Sequence, residues 1–209
     1  MVDLRLFRLP AFAWASLSVA LSNLVMYTVL LSVPLYVIGV RDGTVGQAGI
    51  LLAILSVLSA ATGPIGGRWA DRAGNRLPAV TGALVLVAGT VSIVIGVAAG
   101  SNVILGVAIA MLGIGLGISG APVQAAALGA APVTKAGMAS GLYSTSRYLG
   151  SVVGSTVLAA LFAVAAAGES ESRFVILFAG LAVVACAGVV VNARIGRKPR
   201  AAGESASPR

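Results

Sequence analysis

Apolar residues dominate the chain in six long runs, and short breaks rich in glycine, proline and charge separate each run from the next. A helix needs about 20 apolar residues to cross the hydrocarbon core of a bilayer, and each run is long enough to do so. The pattern predicts an all-α integral membrane protein, folded as a bundle of six transmembrane helices. The predicted spans are residues 12–38, 47–65, 77–99, 103–127, 139–164 and 174–191.

Composition limits the classes of function that the chain can have. Hydrophobic residues make up 58% of the chain and charged residues 10%, against roughly 25% charged residues in soluble domains. Histidine is absent and Cys186 is the single cysteine, so the commonest general base and a cysteine cluster for a metal are both missing. We therefore expect no enzymatic activity, no metal and no cofactor.

The basic residues predict the orientation. The net charge is +8, but lysines and arginines are spread between apolar runs instead of forming one face, so we expect no nucleic-acid partner. Short cytoplasmic loops are enriched in Lys and Arg. With both termini in the cytoplasm of a bacterial cell membrane, Arg41 and Arg173 fall outside, Arg147 falls within a span, and the others are cytoplasmic: Arg5, Arg8, Arg68, Arg72, Arg76, Lys135, Arg194, Arg197, Lys198, Arg200 and Arg209.

The pattern of apolar runs and basic residues divides the chain into three parts. Residues 1–11 are expected to form a cytoplasmic juxtamembrane segment, and residues 12–193 the six-helix domain that contacts membrane lipid. Residues 194–209 are polar, basic and rich in Ser and Pro, which predicts a disordered cytoplasmic tail.

Glycines recur at close spacing in the fourth and fifth predicted helices. Small residues let bilayer helices approach closely, so we interpret Gly113, Gly117, Gly150 and Gly154 as helix-packing positions. Ligand contact is the alternative.

The break between the second and third spans holds the most specific motif, Gly67, Asp71, Arg72, Gly74 and Arg76. Gly67 is expected to let a helix end approach a neighbour, and Gly74 to allow a turn with positive φ. Asp71 can meet a helix N-terminus or an arginine, and such a contact can act as a conformational latch. The alternative is a loop that is basic only to fix topology.

This motif resembles the loop signature G-x-x-x-D-R-x-G-R-R of the major facilitator superfamily, although Asn75 stands where a basic residue is usual. Residues 3–8, 113–132 and 139–154 resemble the C-terminal six-helix domain of the fourteen-helix drug/proton antiporters in that superfamily. The resemblance implies half of a transporter: a fragment, a truncated gene product or one member of a pair. It also implies a partner, either an N-terminal six-helix half or a second copy.

Arg147 lies near the middle of the fifth predicted span, where a charge is a candidate functional group. Snorkelling to the headgroups is the alternative. Every acidic residue lies outside the spans, so the counter-charge would come from a partner half, an anionic substrate or water. For the same reason, proton coupling is expected only through a partner.

Further polar residues within the spans are candidates for a substrate cavity. Asn23 and Tyr27 are four residues apart and share a helix face, and Gln124 and Tyr143 lie on the fourth and fifth spans. In the family resembled, the first and fourth helices of each domain line the cavity. Hydrogen bonds between neighbouring helices are the alternative role, worth about 0.6 kcal/mol each.

Together these features predict efflux of small amphipathic compounds or drugs by one half of an alternating-access secondary transporter. The competing hypothesis is a six-helix membrane module that does not transport, either a truncation remnant or a regulatory subunit that docks on other transporters.

Overall fold

A computed structural model describes residues 4–163 and 170–195, and these residues are almost entirely helical. Short 3-10 turns, Leu4–Arg8 and Val133–Lys135, precede the first and fifth long helices. These two ranges contain no strand, which confirms the predicted all-α architecture. The long helices are α1 (Pro10–Gly39), α2 (Val45–Ala73), α3 (Arg76–Ala98), α4 (Asn102–Gly129), α5 (Ala136–Ala163) and α6 (Ser170–Arg194).

Within the described residues, five helices are long and apolar enough to cross a membrane: α1, α2, α3, α4 and the Ser172–Arg194 part of α6. The remaining helix, α5, has 28 residues, a length of about 42 Å at 1.5 Å per residue. Arg147 and several serines and threonines lie along it. The predicted tail lies outside the described residues from position 196 onward.

Local chemistry explains where the helices begin. Thr44 and Gln47 form a capping box at the start of α2, with the Gln47 amide 3.2 Å from the Thr44 hydroxyl and the Thr44 amide 3.0 Å from the Gln47 side chain. Ser101 caps α4 with its side chain alone, accepting a hydrogen bond from the Ile104 amide. These caps fix where α2 and α4 begin, although only a few residues connect each of them to the preceding helix.

One end of the bundle carries most of the described positive charge. A buried cluster there joins Phe12 at the start of α1, Ala79 of α3, Ala127 of α4, Ala139 of α5 and Ile195 after α6. The α2–α3 and α4–α5 connections therefore lie at the same end as the start of α1 and the end of α6. We call it the basic end, because it holds Arg8, Arg68, Arg72, Arg76, Lys135 and Arg194.

The opposite end is braced by a side chain. Arg41, in the α1–α2 connection, donates a hydrogen bond to the carbonyl oxygen of Gly100 in the α3–α4 connection. Beneath this contact, the Tyr36 hydroxyl lies 3.4 Å from the carbonyl oxygen of Val97, and the Tyr36 ring meets Phe174 edge to face. Three helices and two connections are thereby joined.

The main helix contacts repeat within the bundle. α1 packs extensively on α5 and α6, while α4 packs extensively on α2 and α3. Exchanging α1–α3 with α4–α6 maps the α1–α5 contact onto the α4–α2 contact. The fold is therefore built from two equivalent three-helix units.

Glycines form both of these equivalent contacts. A Cβ at Gly113 would lie 2.6 Å from the carbonyl oxygen of Leu55 on α2, and one at Gly117 would overlap Thr62. On α5, a Cβ at Gly150 would overlap the carbonyl group of Ala20 on α1, and one at Gly154 would lie 2.6 Å from the carbonyl oxygen of Leu24. Each position thus excludes a side chain because the neighbouring backbone is in contact with it.

Candidate functional site

A groove of about 230 Å³ lies between α1, α4 and α5. Gly120 is one of its lining residues, and an added Cβ there would meet nothing within 4 Å. Polar side chains line part of the groove, and Val19, Met26, Leu116 and Val123 form an apolar part. The site is therefore amphipathic.

The groove brings together four of the five predicted cavity residues: Asn23, Gln124, Tyr143 and Arg147. The fifth, Tyr27, does not line it. At 3.6 residues per turn, Tyr27 lies on one side of Asn23 around α1, while the groove residues Ser22 and Met26 lie on the other. The four-residue spacing of Asn23 and Tyr27 was therefore a poor guide to which face is lined.

Sequence reasoning missed several groove residues. Ser18, Ser22 and Met26 follow one another at four-residue intervals along α1, and Ser119 faces them from α4. The serines were overlooked because hydroxyls are common in membrane helices. Their regular spacing, which places them on one face, was the available signal.

Arg147 is the only charged side chain among the residues that line the groove. It is half-buried and follows Ala136, the first residue of α5, by eleven positions, or about 16 Å along the axis. Its guanidinium lies 6.0 Å from the centroid of the neighbouring Tyr148 ring. Among the side chains that the structure describes, in residues 5–160 and 172–195, no carboxylate pairs with it.

The neutral polar groups of the groove differ in how far they are already hydrogen-bonded. Asn23 donates to the Val19 carbonyl at 3.0 Å, and Ser119 donates to the Gly115 carbonyl at 2.8 Å. Ser18 donates to the side-chain oxygen of Asn192 at 2.9 Å. In the described part of the chain, the Tyr143 hydroxyl, the Gln124 amide and the Ser22 hydroxyl have no such partner. These three groups are available to a ligand.

The motif between α2 and α3 is mostly helical, which corrects the predicted loop over residues 67–76. α2 continues to Ala73, so Gly67, Asp71 and Arg72 lie on its last turns, and Arg76 is the first residue of α3. Alanines and arginines are good helix formers, and the charges do not interrupt the helix. Only Gly74 and Asn75 connect the two helices.

Gly74 forms the turn. Its φ of 79° lies in the region that L-residues rarely adopt. The Gly74 amide donates a hydrogen bond to the carbonyl oxygen of Ala70 at 2.8 Å. This bond closes the C-terminal end of α2. Asp71, Arg72 and Arg76 are exposed around this turn, and Asp71 makes no ion pair with any residue that the structure describes.

The close helix approach expected at Gly67 occurs at Gly66 instead. A Cβ on Gly67 would lie 3.9 Å from the Ala121 side chain, which is ordinary contact, but one on Gly66 would overlap the carbonyl oxygen of Ile118 on α4. Pro122 has no amide N–H, so this Ile118 carbonyl lacks its usual partner four residues later in the helix. Gly66 therefore packs on a carbonyl that a proline has freed.

Comparison with known proteins identifies the family. Residues 2–155 match the sequence profile of the Major Facilitator Superfamily. The chain belongs to the Major Facilitator Superfamily. It is accordingly a multi-pass membrane protein of a transporter family.

Alignments with individual relatives support membership of the Major Facilitator Superfamily. The chain is 32% identical over 162 residues to the uncharacterized MFS-type transporter YwoD of Bacillus subtilis, an alignment covering 77% of this chain and 36% of YwoD. It is 30% identical over 163 residues to the multidrug resistance protein Stp of Mycobacterium tuberculosis, covering 78% of this chain and 30% of Stp. It is 27% identical over 178 residues to the uncharacterized MFS-type transporter YvkA of Bacillus subtilis, covering 85% and 39% respectively. The chain thus spans about a third of the length of these relatives.

Proposed function

We propose that this chain forms the C-terminal six-helix half of an exporter of the fourteen-helix drug/proton antiporter branch. It carries small amphipathic compounds out of the cell. Membership of the Major Facilitator Superfamily and similarity to a relative named as a multidrug resistance protein support this proposal. The groove between α1, α4 and α5 is the observation that carries it.

The groove suits half of a substrate cavity. It combines an unpaired cation and free hydrogen-bonding groups with an apolar wall near the middle of the helices. Substrates of secondary transporters bind near the bilayer midplane, where two repeats or bundles meet. The proposed transport cycle therefore needs a second bundle against which this one rocks, either an N-terminal half or a second copy of the chain.

The proposed orientation places the basic end in the cytoplasm, so that both termini lie on the inner side of the cell membrane. The arginines and lysine at that end support it through the positive-inside rule. Labelling of single cysteines tests it. In a Cys186→Ala background, the exposed position Ala73→Cys in intact cells should resist an impermeant maleimide that modifies Val45→Cys, which is exposed at the opposite end of α2; the reverse pattern would refute the orientation.

Asp71, Arg72 and Arg76 are proposed to form a latch with the second bundle. They are exposed, and Asp71 has no partner in the described part of this bundle, so they are free to meet another surface. Proton coupling is assigned to the partner because no carboxylate is found among the described residues that line the groove.

Transport by reconstituted vesicles tests the whole proposal. Vesicles containing this chain and a second bundle should move fluorescent amphipathic compounds against a gradient, and the panel should include both anionic and cationic dyes. Vesicles containing monomeric chain alone should not. Stable assembly without flux of any dye would favour the non-transporting module instead.

A further inference from the structure

We propose that the groove selects amphipathic anions, with Arg147 binding a carboxylate, sulfonate or similar acidic group of the transported compound. This inference rests on the proposed export function and adds its substrate class. It begins from the charge of the groove, where Arg147 is the one ionised side chain among the described lining residues.

The position of Arg147 makes an unsolvated charge costly. An arginine near the bilayer centre that faces lipid is costly, because its charge loses contact with water. Facing the groove lowers this cost only when water or an anion reaches the guanidinium. The described helices offer no carboxylate to it, so an anion entering the groove gains an interaction that a cation does not.

The neighbouring groups add donors around the same charge. Tyr143 is four residues before Arg147 and therefore lies one turn away on the same face of α5. Tyr143 as a whole is only 4% exposed. Its hydroxyl has no hydrogen-bond partner among the described residues, yet it is not fully buried. The hydroxyl is therefore open to the groove that Tyr143 lines. Gln124 brings an unpaired amide from α4.

An oxyanion fits this arrangement. A guanidinium presents five N–H donors in a planar fork that matches two oxygens of an acidic group, and a phenol and an amide can each donate one more bond. The apolar side chains Met26, Leu116 and Val123 line the same groove and can accommodate an aromatic or aliphatic body. The site thus separates an acidic head from an apolar remainder, which defines an amphipathic anion.

Binding to the complete purified chain in lipid nanodiscs tests the proposal. Ser22→Cys in a Cys186→Ala background places one thiol in the groove, and the rate of its modification by N-ethylmaleimide reports occupancy. Two probes with the same body and opposite charge are compared, 2-naphthalenesulfonate and (2-naphthyl)trimethylammonium. The sulfonate should protect the thiol at a concentration at least about tenfold lower, since only the sulfonate can accept charge-assisted hydrogen bonds from the guanidinium.

Variants assign the effect to Arg147. Arg147→Gln should bring the two protection constants within about twofold of each other, and Arg147→Lys should retain part of the preference because the charge remains without the fork. Arg68→Gln removes an exposed cation at the end of α2 and should leave the preference unchanged. Gel filtration of each variant checks that the bundle is intact.

Equal protection by the two probes in the unsubstituted groove, or better protection by the ammonium compound, would overturn the proposal whatever the variants do. Pairing of Arg147 with a carboxylate of a second copy gives the same negative result. The export proposal fails by a different result, namely no flux of any dye in the vesicle assay. Export of cationic dyes alone would support export and refute anion selection.

Discussion

The packing of Gly66 on the freed carbonyl of Ile118 allows a sharp test. In Gly66→Ala, the new Cβ would overlap the Ile118 carbonyl oxygen and lie 2.8 Å from both the carbonyl carbon and the Cα of Ile118. These are backbone atoms of α4, so relief requires α2 and α4 to separate. Overpacking of this kind costs about 1 to 3 kcal/mol, offset by up to about 1 kcal/mol from the better helix propensity of alanine.

The adjacent glycine is the matched control. Gly67→Ala gains the same propensity, but its Cβ would lie 3.9 Å from the Ala121 side chain and meet no backbone. The two variants should therefore differ in unfolding free energy by about 1 to 3 kcal/mol, with Gly66→Ala the less stable. Titration of purified protein with SDS, followed by far-ultraviolet circular dichroism, measures this difference. Equal midpoints for the two variants would refute the assignment of the close contact to Gly66.

Three further predictions concern the latch, a buried hydrogen bond and the brace. Asp71→Asn should lower transport by the assembled protein at unchanged membrane abundance, and full transport would remove the latch role. Asn192→Ala deprives the buried Ser18 hydroxyl of its acceptor and should cost about 1 kcal/mol in the SDS titration; the exposed control Thr156→Ala should cost less, and an equal cost would contradict this account. Arg41→Gln should speed amide hydrogen exchange in residues 99–101, and unaltered exchange there would show that the brace contributes no protection.

The sequence predicted the architecture because a bilayer imposes one dominant requirement, that long apolar segments satisfy their backbone hydrogen bonds as helices. Boundaries were predicted less well where polar residues continue a helix. Residues 66–73 were taken as a loop because of their glycines and charges, although α2 extends through them. Hydropathy identifies only the apolar part of a helix, so it does not detect a polar extension of the same helix.

The groove was partly predictable for a related reason. Arg147 and Tyr143 stand out because polar groups within a span are costly, and both line the groove. The exclusion of Tyr27 and the role of Gly66 depend on which side of a helix faces which neighbour. That information requires the contacts between helices, since spacing along one helix fixes only which of its residues share a face.

The brace between Arg41 and Gly100 has a consequence for how the bundle responds to load. Because one side chain fastens the α1–α2 connection to the α3–α4 connection, α1 and α3 are held together at the end farthest from the Gly74 turn. We expect α1 and α3 to move together at that end whenever the bundle tilts.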